Sequence, residues 1–152
     1  RPIHLLWGWM QIGDVVDIAL ERESNRIKYP WASYHPHYHF QTQPANNTLY
    51  IASETLSIEG LETNHIKGFG VFQHYREELQ LTDPDFNKRS YWRLPGWMYE
   101  ENMPCPLSYN ASSEWRLENN IARLHSYPRG QEFVYPCRRS IELINWLGVL
   151  LN

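Results

Sequence analysis

Three short stretches hold side chains suited to chemistry or recognition. The first is Tyr34-His35-Pro36-His37-Tyr38-His39-Phe40, with histidines at alternate positions. Imidazoles serve as acid and base near neutral pH, and they also ligate metals. Zinc needs three or four N, S or O ligands in a tetrahedron, and Cys105 and Cys137 are the only thiols that would complete it. The histidine spacing matches no familiar structural zinc pattern, so no metal and no cofactor are expected. We expect instead that His37 hydrogen-bonds a ligand or Glu132, with His35 and His37 as acid/base candidates. The second stretch, Lys88-Arg89-Ser90-Tyr91-Trp92-Arg93-Leu94-Pro95-Gly96-Trp97, interleaves cations with rings. Cations neutralise phosphate and ring faces stack bases, although a surface strand with snorkelling stems and one buried Trp reads the same way. The third is Arg129-Gly130-Gln131-Glu132-Phe133. Gln131 is a two-sided hydrogen bonder suited to a base edge, and Glu132 is a general-base candidate if desolvated. A plain Arg129–Glu132 ion pair is the structural alternative.

These candidates need elements to position them, and the strongest are at the two ends of the chain. Ile3 to Ile18 reads as two β-prone apolar runs meeting at Gly13-Asp14, a turn or a bulge. Gly8 sits between Trp7 and Trp9, where a missing side chain admits another backbone or a flat ligand. Both indoles belong either to a core strand pair or to a stacking platform, and Gln11 follows them. Glu21 to Lys28 reads as a solvated loop. Prolines 30 and 36 argue against helix, so residues 34–40 are expected to be extended, with His35, His37 and His39 on one side. Thr48 to Ser53 is a strand, Leu56 to Ile58 a short strand or turn, and Gly68 to Phe72 a tight loop entering a strand. Leu79 to Thr82 is a further strand before the turn Asp83-Pro84-Asp85. Ser112 to Arg116 starts as a short helix or turn, and Arg129 to Tyr135 is the last strand. Arg138 to Leu151 spaces Ile141, Ile144, Leu147 and Leu150 for one face of a closing amphipathic helix.

Composition limits the function classes. A chain of 152 residues suits one domain, 1–152, and a domain this size buries about 70% of its unfolded surface. Seven Trp, ten Tyr and five Phe demand either burial or a binding face. Net charge is −3, so the whole chain is no polyanion clamp. Residues 86–152, however, hold eight Lys/Arg against six Asp/Glu, whereas residues 1–85 hold six against eleven. A phosphate-facing surface therefore belongs in the second part. Two isolated cysteines, each beside proline, are no disulfide framework. No apolar run approaches about 18 residues, so a cytoplasmic protein with no membrane partner is expected. Arg1 opens the chain directly ahead of a strand, and we expect the C-terminal part of a longer or trimmed protein.

Six motifs occur in a fixed order: Trp7-Gly-Trp-Met-Gln-Ile-Gly-Asp14, His35-Pro-His37, Thr48-Leu-Tyr-Ile-Ala-Ser53, Gly68-Phe-Gly-Val-Phe72, Trp92-Arg-Leu-Pro95 and Arg129-Gly-Gln-Glu-Phe-Val134. That order resembles the third of the nucleotide-modification-associated domain families of bacteria and phages, over its C-terminal two-thirds. The resemblance implies a role in the synthesis, recognition or handling of modified bases, and it carries over no catalytic residue.

The expected fold is α+β: a mixed, largely antiparallel β-sheet or partly open barrel closed by a C-terminal amphipathic helix. The first functional expectation is a nucleotide- or nucleic-acid-binding module for a modified base. Its ligand contacts would come from Trp7, Trp9, Gln11, Trp92, Arg93, Arg129 and Gln131. An enzyme using His35 or His37 with Glu132 is the second, and a partner-binding subunit without a site is the third.

Overall fold

A computed structural model describes residues 1–20, 22–39, 47–58, 63, 65–99, 107–136 and 140–151. Cys105 and Cys137 lie outside these residues. The chain divides into two units, residues 8–71 and residues 1–7 with 72–152. Among the described residues every strand pair is antiparallel, and the strands form three small separate sheets. The fold is therefore α+β with largely antiparallel pairing and a C-terminal helix, as expected, and among the described residues the strands make small sheets and no closed barrel.

In the unit of residues 8–71, the opening stretch breaks into β1 (Gly8–Met10) and β2 (Ile12–Asp17). The two do not pair with each other. β2 takes β3 (Thr48–Ala52) as its partner, while β1 takes β4 (Phe69–Val71). Gly13-Asp14 is a bulge, since the register shifts between Ile12 and Asp14. Gly8 serves close backbone approach, because a Cβ there would stand 2.6 Å from the Gly70 carbonyl oxygen. Val16, Ile18, Ala32, Tyr38, Leu49 and Ile51 form the core of this unit, with Tyr29 packed against it.

Two expectations fail in this unit for physical reasons. Residues 22–28 are a helix, α1 (Arg22–Lys28), rather than a loop. Its one apolar residue, Ile27, is 83% exposed, so there was no apolar stripe to read. Polar contacts replace packing: Arg26 pairs with Glu23, and Asp14 accepts from Lys28 Nζ at 2.6 Å and from the Tyr29 hydroxyl. Those two donors hold the Asp14 carboxyl down at about 2. Residues 30–39 form no strand either, with only His35 extended between two turns and Phe40 outside the described residues. They form two 3₁₀ turns, Pro30–Tyr34 and Pro36–His39, each opened by a proline. A proline at the first helical position loses no hydrogen bond, so it starts such a turn as readily as it stops a longer helix.

The other unit is organised on β5 (Tyr91–Pro95), β6 (Trp115–Glu118) and β7 (Ile121–His125), in the order β5-β7-β6. β6 and β7 are joined by Asn119-Asn120, both with positive φ (50° and 61°). This is the backbone a two-residue hairpin needs, and asparagine tolerates it better than other side chains with a Cβ. Residues 79–82 are not a strand. Glu77–Leu79 is a 3₁₀ turn, and Gln80 and Thr82 make isolated bridges to Leu5 and Trp92. Leu56 to Ile58 likewise forms no strand, Ile58 and the neighbouring Thr55 each making only an isolated bridge. Residues 129–135 run outside any ladder, tied to the chain at Ser108 through Val134.

The core of this unit is Leu81, Trp92, Leu94, Met98, Leu107, Trp115, Ala122 and Leu124. The closing helix, α2 (Ser140–Leu151), adds Trp146 to it and buries Leu147 and Leu150. Ile144 is half-buried, but Ile141 is 69% exposed, so the packed face lies further along the helix than expected. The Arg76 guanidinium donates to the Leu150 carbonyl oxygen, one of the carbonyls a helix end leaves without a partner. No helix of the described residues is long and apolar enough to cross a membrane.

Candidate nucleic-acid interface

The strands β5, β6 and β7 carry nearly the same tripeptide: Trp92-Arg93-Leu94, Trp115-Arg116-Leu117 and Ala122-Arg123-Leu124. In a strand, alternate side chains point to opposite faces. The register then decides what each face becomes. Trp92 pairs with Leu124, which pairs with Trp115, and Leu94 pairs with Ala122. All five are buried, forming an apolar inner face. Arg93 pairs with Arg123, which pairs with Arg116, so the outer face carries three guanidiniums in one row across the sheet.

The neighbouring row of that face is aromatic. Tyr91 pairs with His125, their rings stacked at 4.5 Å and 20°. Phe86 stacks on Tyr91 at 5.0 Å and 4°. The turn at Asp83 brings Phe86 there. The Asp83 carboxylate accepts from the Asp85 N–H at 3.0 Å, and its carbonyl accepts from the Phe86 N–H at 3.2 Å. Lys88 Nζ lies 5.9 Å from the Tyr91 ring centre, and Arg89 is exposed beside it.

The three arginines differ in what holds them. Arg123 reaches Asp83 at 2.5 Å, Glu118 at 3.3 Å and Asp85 at 3.5 Å, and its guanidinium lies 5.1 Å from the Phe86 ring centre. Asp83 is fully buried, and its partner Arg123 is mostly so. The pair is thus a fixed cross-brace rather than a free cation. Arg93 and Arg116 are exposed and have no ion pair among the described residues. They are the cations left to meet an anion.

Other candidates fall as follows. Trp92 is 2% exposed, and its indole N–H donates to His4 Nδ1 at 2.9 Å, so its ring belongs to the core. His4 Nε2 then donates to the Pro128 carbonyl oxygen at 3.2 Å, which fixes a neutral imidazole. Burial pushes His4 below the ordinary imidazole value and the Arg89 charge adds to this, against the opposing pull of the Pro128 hydrogen bond. Gln11 spends its side-chain amide on the Ser57 backbone, donating at 2.5 Å and accepting at 2.7 Å. Trp9 lies over Gly70, its register partner, and Trp7 is 77% exposed. His35 and His37 meet edge to face at 4.8 Å in the unit of residues 8–71, with His35 held low by burial and by His37. Arg129, Gln131 and Glu132 belong to the other unit, where Arg129 and Glu132 are exposed, Gln131 is half-buried, and the expected Arg129–Glu132 ion pair is not formed. Among the described residues, no group of three or more His, Cys, Asp or Glu is placed to hold a metal ion.

Sequence reasoning centred on Lys88 to Trp97 and missed Arg116, Arg123, His125 and Phe86. The signal was the recurring Arg-Leu pair, together with Asn119-Asn120 marking a hairpin that aligns two of its copies.

Neither a curated protein nor a solved structure matches the chain. The family model described as "Nucleotide modification associated domain 3" matches residues 1–136. The match takes in the opening strands from the first residue and stops before α2, which slightly corrects the expected fit to the family's C-terminal two-thirds. With 136 of 152 residues covered, the chain belongs to the nucleotide modification associated domain 3 family.

Proposed function

We propose that this chain is a binding module for a nucleotide or nucleic acid, used in the recognition or handling of modified bases in the cytoplasm. The observation that carries the reading is the outer face of β5-β7-β6, where the free guanidiniums of Arg93 and Arg116 flank a braced Arg123 beside the Phe86–Tyr91–His125 rings. Phosphate contacts supply affinity and position, and rings accept base faces. The family's association with nucleotide modification and the positive balance of residues 86–152 support the same reading. The test is a fluorescence-anisotropy titration of labelled oligonucleotides with the wild type, Arg93→Ala and Arg116→Ala. Each substitution is expected to weaken binding several-fold while leaving the melting temperature unchanged. Equal affinity for all three proteins would refute the reading.

A further inference from the structure

The ring column on this face has one open end, and its position bears on the class of ligand. Tyr91 sits between two partners: β7 lies to one side of β5 and brings His125, while residues 81–83 bridge the other side of β5 and lead to Phe86. Both faces of Tyr91 are therefore taken. Phe86, the outer ring on that side, carries the Arg123 guanidinium. His125 has Tyr91 on one face, and among the described residues no second ring stacks on the other. Its side chain is 47% exposed, and Glu114 fixes the ring through Nδ1 at 3.0 Å. On the β6 side of this row Glu114 stands beside His125, and the exposed Arg116 stands in the next row. Adjacent strands lie about 4.8 Å apart and same-face neighbours on one strand about 6.6 Å apart. A base on His125 therefore brings its own phosphate within reach of Arg116.

Resting on the binding function proposed above, we infer that His125 is the stacking platform for an unpaired base and Arg116 the anchor of the adjoining phosphate. Single-stranded nucleic acid and free nucleotides share this chemistry. A duplex does not, because its base faces are already stacked inside the helix and it offers only phosphates to such a surface. The ring column selects the ligand class, and the arginines alone would not.

Three probes separate the cases: a short labelled single strand, the duplex of the same sequence, and a mononucleotide as competitor. The single strand should bind at least about tenfold more tightly than the duplex at equal salt. His125→Ala should lower single-strand affinity by about fivefold to a hundredfold, the usual range for losing one stacking ring. His125→Asn, which keeps a hydrogen-bonding group for Glu114, should lose as much, and His125→Trp should regain it. Competition by the mononucleotide at millimolar concentration would assign the site to a single nucleotide unit, while its failure would assign it to the strand. Either result is compatible with stacking on His125. Duplex binding as tight as single-strand binding, or full affinity in His125→Ala, would overturn the inference and leave the arginine-based reading standing. Absence of binding by every probe would overturn both.

Discussion

The two faces of the β5-β7-β6 sheet are made by the same strands and differ in almost everything else. The inner face holds Trp92, Leu94, Trp115, Ala122 and Leu124, all buried. The outer face holds Arg93, Arg116 and Arg123 with Tyr91 and His125. Burial explains the first set without reference to function. A one-residue slip of register would put the arginines in the core, so the inner face also fixes where the outer groups stand. Folding does not require a row of three like charges, since like charges facing each other across strands are destabilising. The outer face keeps that row by bracing its middle member against Asp83, Asp85 and Glu118. The inner face is thus the scaffold, and the outer face leaves Arg93 and Arg116 exposed on either side of the braced Arg123.

The largest expected effect comes from breaking the scaffold. Trp92→Ala removes a fully buried ring and the hydrogen bond to His4, and should cost about 3–5 kcal/mol in denaturant unfolding. A cost below about 1 kcal/mol would remove Trp92 from the core and reopen its candidacy as a ligand contact. Next comes the residue that joins the faces, buried Asp83 beneath Arg123. Asp83→Asn should destabilise by about 1–3 kcal/mol, because a buried charged hydrogen bond is lost while Asp85 and Glu118 still hold the guanidinium. It should also loosen Arg123 from Phe86, visible as averaging of the Arg123 side-chain NMR signals.

A smaller effect follows from His4. Its folded value lies below 6.5, so the unfolded chain takes up the proton more readily. The stability this group contributes is fully present above pH 6.5 and is lost as pH falls through its lowered folded value. The melting temperature should therefore decline on acidification below about 6.5, and the decline should be shallower in His4→Gln. Identical pH profiles for the two proteins would contradict the neutral imidazole held between Trp92 and Pro128.

Much of the fold was legible because it follows alternation and apolar spacing. Thr48 to Ala52, Phe69 to Val71 and the closing helix all read from pattern, while the strand Tyr91 to Pro95 answers to the plainer alternative for its segment. Failures fell where polar or turn chemistry replaced burial. α1 is held by Asp14 and an Arg26–Glu23 pair, neither of which leaves an apolar period. The histidine stretch is extended by alternation, yet its prolines open 3₁₀ turns. The hairpin of β6 and β7 rests on two asparagines with positive φ, a signal outweighed by the polar residues around it. The Lys88 to Trp97 segment contains β5, but all five of its ladder partners, Ile121 to His125, are more than 20 residues away. Only the register brings Arg93, Arg123 and Arg116 into one row.

The most direct test of the outer face as a phosphate-binding surface is the salt dependence of single-strand binding. Each phosphate contact on a single strand contributes about 0.7 to the slope of log affinity against log salt. The Arg93→Ala/Arg116→Ala double variant should therefore have a slope shallower by about 1.4 than the wild type, with an unchanged melting temperature. An unchanged slope in a fully folded double variant would contradict the account.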